Sequence, residues 1–117
     1  MKHSSSFYYD LDFGEQAEDW VKELLSDGRK IEVKCDRMAH LTGNLYVEIY
    51  SRDKPSGISV TQANYWIFKI EEKDYSLIVS TKKLKELCRI VHQTDGLVRG
   101  GDNNTSYGVL LPIKLIL

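Results

Sequence analysis

Lys30-Ile31-Glu32-Val33-Lys34-Cys35-Asp36 alternates strictly, with Ile31, Val33 and Cys35 apolar and Glu32, Lys34 and Asp36 charged. A period of two marks a half-buried β-strand, one face oily and the other charged. The pattern returns in Leu45-Tyr46-Val47-Glu48-Ile49-Tyr50, where Leu45, Val47 and Ile49 share one face and Tyr46, Glu48 and Tyr50 the other. The two strands are expected to pair as an antiparallel hairpin centred near His40, with Glu32 opposite Glu48 and Lys34 opposite Tyr46. Two carboxylates facing each other across a ladder repel; a divalent cation held between them reverses the sign. A metal site with a lysine beside it carries the chemistry of phosphodiester cleavage. The plainer alternative is a solvated strand face on which Glu32 and Lys34 make an ordinary ion pair.

Composition sets the frame. A chain of 117 residues holds one domain with a single core, of which residues 1–9 are expected to be a flexible leader. Hydrophobic residues make up 42% and charged residues 28%, as in a soluble globular protein. No apolar run approaches the ~20 residues that span a bilayer, so no membrane partner is expected. Cys35 and Cys88 occupy strand and helix positions, without disulfide or zinc spacing, which favours a reducing cytoplasm. The net charge of −1 does not advertise a nucleic-acid binder, although a local basic patch with a bound metal can suffice.

Outward from the two strands, Asp12 and Glu15 form a capping-box-like pair ahead of an apolar stripe of Phe13, Ala17, Trp20, Val21 and Leu24. That helix is expected to end at Asp27-Gly28. Downstream, the pattern predicts a short helix over 60–65, strands over 66–71 and 75–80, and an amphipathic helix over 81–91. A polar, glycine-bearing loop from Thr94 to Tyr107 then leads to a strand near 109–111. This order predicts an α/β fold, a mixed β-sheet flanked by α-helices.

Ile31-Glu32-Val33-Lys34 after an acidic first helix resembles the core of the PD-(D/E)XK nuclease superfamily, with its restriction-endonuclease-like fold. Thr42-Gly43-Asn44, Val47-Glu48, Lys54-Pro55-Ser56-Gly57-Ile58, Thr61 and Tyr65-Trp66 are similar to small phage-encoded proteins placed in that superfamily. The resemblance covers about residues 13–80 of the chain. It implies a magnesium-dependent DNA endonuclease or Holliday junction resolvase, with manganese as the alternative metal, in a bacterial or phage-infected cell. It also implies a homodimer, since so small a domain needs a second subunit to cut both strands; RNA stands beside DNA as a substrate class.

The chain has no Pro-Asp dipeptide, and the superfamily pattern fits in two ways. In one, Glu32 and Lys34 are the Glu-x-Lys pair and Asp27 is the upstream acid. In the other, which supplies the expected hairpin, Glu32 takes the upstream position, Glu48 the later one, and Lys34 has migrated from the place held by Tyr50. Glu32 and Glu48 are then the metal ligands and Lys34 assists the attacking water. Asp36 and Glu18 are further candidate ligands. Each has a structural alternative: Asp36 can terminate the strand, and Glu18 can pair with Lys22 in the favourable i,i+4 order.

Phosphate contacts are expected from Arg52, Lys54 and Ser56, which follow the second strand directly. Lys82 and Lys83 crowd a helix start, where the macrodipole disfavours cations, and are candidates for the same task. Arg99, in the glycine-bearing loop, is the last candidate; a loop of this kind is more often only a loop. The competing reading is a non-catalytic DNA-binding or assembly protein that retains the nuclease fold.

Overall fold

The computed structural model describes residues 30–117, together with Glu15, Gln16, Glu18, Asp19, Lys22 and Leu24 of an upstream helical segment. Asp12, Asp27 and the expected leader lie outside the described residues. Seven strands and two α-helices follow: β1 (Ile31–Asp36), α1 (Ala39–Thr42), β2 (Asn44–Ser51), β3 (Lys54–Pro55), β4 (Tyr65–Ile70), β5 (Ser76–Ser80), α2 (Thr81–Asp95), β6 (Val98–Gly100) and β7 (Ser106–Pro112). They form an α/β fold with two sheets. One is mixed, in the order β1-β4-β5, and the other is antiparallel, in the order β3-β2-β7-β6.

The expected hairpin is overturned. β1 runs parallel to β4, setting Glu32 beside Trp66 and Lys34 beside Phe68. β2 pairs instead with β7, where Glu48 lies opposite Gly108. The carboxylates of Glu32 and Glu48 therefore do not face each other across a ladder.

Asp36 is the physical reason. Its Oδ1 accepts from the backbone N–H of Met38 (2.9 Å) and Ala39 (2.8 Å), and its Oδ2 from the N–H of Tyr46 (3.0 Å). The first two bonds turn the chain out of β1 into α1, satisfying amides that a helix start otherwise leaves unpaired. Gly43, at φ 75°, ends that helix and delivers the chain to β2 in the other sheet. A hairpin needs a short, tight turn at this point; a helical turn has replaced it.

The faces of β1 are also inverted. The parallel register puts Glu32, Lys34 and Asp36 on the side of Trp66, Phe68 and Ile70, which are buried. Val33 is 63% exposed and Cys35 is exposed on the opposite side. β2 keeps the expected polarity, with Leu45 and Val47 fully buried.

One core joins both sheets to α2. Leu84, Leu87, Cys88 and Val91 recur at helical spacing and pack with Val47, Phe68, Val79, Val109 and Leu111. Ser80 caps α2 by accepting from the Lys83 N–H at 3.1 Å, and the helix runs on to Asp95, four residues past its expected end. The expected helix over 60–65 is instead a 3-10 turn at Gly57–Ser59 followed by extended chain. Thr61 explains the difference, because its Oγ1 accepts from the Ala63 N–H at 3.1 Å, a local bond that competes with a helical ladder. The expected loop over 94–107 contains β6, which zips onto β7.

Candidate functional site

A cleft of about 640 Å3 opens where the sheets approach, within the ~300–1,000 Å3 range of small-ligand sites. The mixed sheet contributes Lys34, Asp36, Trp66 and Phe68, and the antiparallel sheet Tyr46, Glu48, Gly100 and Leu110. Sequence-predicted Lys34, Asp36 and Glu48 thus meet at one cleft, although not through the hairpin that was expected to unite them.

Lys34 stands half-exposed with its Nζ 3.6 Å from Glu32 Oε1 and 5.9 Å from the centroid of the Trp66 ring. The ion pair alone is worth about 0–1 kcal/mol in so wet a place. The indole face adds a cation–π attraction, and together they hold the ammonium at the cleft wall. Glu32 is thus the ordinary ion-pair partner the plainer reading foresaw.

Glu48 is half-buried on β2, and among the described residues its carboxylate accepts no hydrogen bond and makes no ion pair. Its surroundings leave no room for side chains. A Cβ on Gly57, at φ 55°, meets the Glu48 carbonyl oxygen at 2.3 Å. One on Gly101, at φ 71°, meets Ser106 Oγ at 2.5 Å and comes within 3.9 Å of Glu48 Oε1. Only glycine fits either place.

Tyr46, two residues before Glu48 on the same face, shares a hydrogen bond of 2.7 Å with the buried hydroxyl of Ser106. Burial pushes the phenol pKa up; the Ser106 hydrogen bond pulls it down, and the negative charge of Glu48 raises it again. The phenol therefore stays protonated, a donor at the cleft wall. Tyr46, Ser106, Trp66 and the glycine pair were not among the expected site residues. The β2 alternation places Tyr46 beside Glu48, and Gly57 and Trp66 stand in the motifs that carry the resemblance, but neither signal assigns any of them a role.

The remaining candidates sort differently. Asp36 lines the cleft, but its carboxylate is committed to three backbone amides. Glu18 is an exposed helical residue outside the cleft lining. Arg52, at φ 50°, and Asp53, at φ 65°, make the two-residue turn between β2 and β3, a type I′ geometry. This puts Arg52 and Lys54 at an exposed hairpin tip, away from the cleft. Ser56 has a buried Oγ with no hydrogen-bond partner among the described residues. Lys82 and Lys83 are exposed on the first turn of α2. Arg99 is held by Tyr107, whose hydroxyl accepts from its Nε at 2.9 Å and whose ring lies 5.4 Å from its guanidinium carbon.

Among the described residues, no three His, Cys, Asp or Glu side chains cluster to hold a metal ion. The donors present fit a hard divalent ion only in its carboxylate-poor form: magnesium often takes one or two protein carboxylates and keeps several waters. Glu48 would be the direct ligand, whereas Glu32 is paired with Lys34 and does not line the cleft. No family model, curated protein or solved structure matches the chain.

Proposed function

We propose that the cleft is the active site of a metal-dependent nuclease acting on DNA, with Lys34 and Glu48 as its working pair. The observation that carries this reading is their convergence on one cleft from separate sheets, after the hairpin meant to join them proved absent. Glu48 supplies an unengaged carboxylate for magnesium, or for manganese in its place. Lys34 supplies a positive charge for a phosphate oxygen or the attacking water, where fixed charge lowers the barrier to phosphoryl chemistry. Trp66, beneath Lys34, keeps one wall of the cleft apolar. Branched or junction DNA, or RNA, is the substrate variation to survey.

A second reading, non-catalytic DNA binding, is favoured by one observation. The second acid of the β1 row, Asp36, is consumed by backbone amides and adds nothing to a metal. Labelled duplex, single-stranded and branched DNAs and an RNA separate the two when incubated with and without magnesium or manganese. The nuclease reading expects metal-dependent cutting that falls at least about 100-fold in Glu48→Gln and in Lys34→Ala. Folded protein that cuts nothing, and binds DNA as well or better after Glu48→Gln, establishes the binding role instead.

A further inference from the structure

β1 is an edge strand, and among the described residues no strand pairs with its outer side. The direction of its backbone groups follows from two bonds. The carbonyl of Lys30 accepts from the Asn64 and Tyr65 amides, and that of Asp36 from the Glu71 amide. Both residues therefore direct their main chain at β4. With a period of two, Glu32 and Lys34 do the same. The N–H and C=O groups of Ile31, Val33 and Cys35 are left pointing outward, an open template for another strand.

We infer that this edge pairs antiparallel with the β1 edge of a second copy, about a two-fold axis through Val33. In that register Val33 meets its own counterpart, Glu32 meets Lys34, Ile31 meets Cys35 and Lys30 meets Asp36. Every charged position finds its opposite, twice over by symmetry. A two-fold axis between antiparallel strands must be perpendicular to the sheet, and the two nearest alternative registers move it by one residue. Centring on Glu32 sets that carboxylate against itself and Lys34 against Lys30. Centring on Lys34 sets that ammonium against itself and Glu32 against Asp36. Facing like charges are unfavourable, and axes at Ile31 or Cys35 pair at most half of β1, so charge and pairing length together select the Val33 register.

The backbone parity agrees with this choice. Outward-pointing Val33 groups make the central pair a hydrogen-bonded one. Glu32 and Lys34 then fall at the non-hydrogen-bonded position, where facing residues come closest. The open face of the sheet agrees too. Val33, Ile67 and Ile78 form one cross-strand row, with Val33 and Ile78 exposed. Pairing continues that row into the second copy and covers the exposed Val33 flank. The partner is thus a second copy of this chain, joined through an isologous interface, and the inference does not depend on the chemistry of the cleft.

Sedimentation equilibrium on the full chain, from micromolar to millimolar concentration, tests it. The native protein is expected to show a concentration-dependent shift to twice the monomer mass. Glu32→Lys, and separately Val33→Lys, should weaken self-association at least about tenfold, since each puts like charges opposite one another. The exchange Glu32→Lys with Lys34→Glu rebuilds the complementary pattern and should restore the native affinity.

Val33→Cys in a Cys35→Ser background should give an intermolecular disulfide on mild oxidation. The facing Cα atoms would stand about 5.5 Å apart, inside the disulfide range. Native Cys35, facing Ile31 in this register, should not crosslink at a comparable rate. A native protein that stays monomeric throughout overturns the inference. So does a dimer indifferent to Val33→Lys, or an exchange variant that is folded by circular dichroism yet fails to recover association.

Discussion

In β2 the apolar positions Leu45 and Val47 are 0% and 1% exposed, while Val33 at the centre of β1 is 63% exposed. The two segments carry the same alternation of apolar and polar residues. What separates them is their neighbours. β2 lies between β7 and β3, and its apolar row packs onto Val109, Leu111 and the buried face of α2. β1 lies at an edge beside β4, and its charged row stands on the aromatic side of that strand. Alternation thus specifies a strand with two unlike faces. Which face is covered depends on the element that arrives beside it.

Substitution energies should separate the two strands most sharply. Leu45→Ala is expected to cost about 2–5 kcal/mol, because a closed core cannot collapse into the hole. Val33→Ala at low protein concentration should stay within about 0.5 kcal/mol of the native value, as for an exposed site. Urea unfolding of both variants measures the contrast. Equal losses would mean that Val33 is covered in the monomer and that β1 is not inverted.

Asp36 is the hinge of the comparison, since it turns the chain from one strand to the other. Asp36→Ala should cost about 2 kcal/mol, the loss of a helix cap together with a charged acceptor for the Tyr46 amide. Hydrogen exchange gives the sharper readout: the amides of Met38, Ala39 and Tyr46 should all lose protection. Protection retained at all three would remove the explanation for the missing hairpin.

The smallest effect to read concerns the two thiols. Cys35 is exposed on β1, whereas Cys88 is buried in α2, where burial pushes its pKa up to about 12 from 9.0. One thiol should therefore react quickly with a disulfide reagent at neutral pH, and the second only on unfolding. The raised pKa has a sign for stability. Below about 9 the thiol is protonated in both folded and unfolded chains, and the stabilising contribution is fully present. As pH rises towards about 12 the unfolded chain ionises first, so stability falls. Cys88→Ala should flatten that alkaline decline.

Much of the local structure is legible in the chain. The break between β4 and β5, those two strands, the apolar stripe of α2 and the buried face of β2 all follow from periodicity and turn chemistry. Leu24 is buried while Glu15, Gln16, Glu18, Asp19 and Lys22 are exposed, in line with the stripe read for the first helix. The candidate site is legible in part. Lys34 and Glu48 line one cleft, but from separate sheets and not from one hairpin face, and Tyr46, Ser106 and Trp66 stand near them from β2, β7 and β4.

By itself, the sequence determined that β1, β2, β4, β5, β7 and α2 form, because those elements rest on side-chain period and on caps within a few residues. The tertiary structure alone decided that β1 joins β4 and that its charged face stands over the aromatic row. It also decided that Glu48 lies across a cleft from Lys34 and not across a ladder from Glu32. Strand pairing joins residues far apart in sequence, and its free energy comes from packing among many elements at once. A short run of alternating residues, equally content in either orientation, does not carry that information.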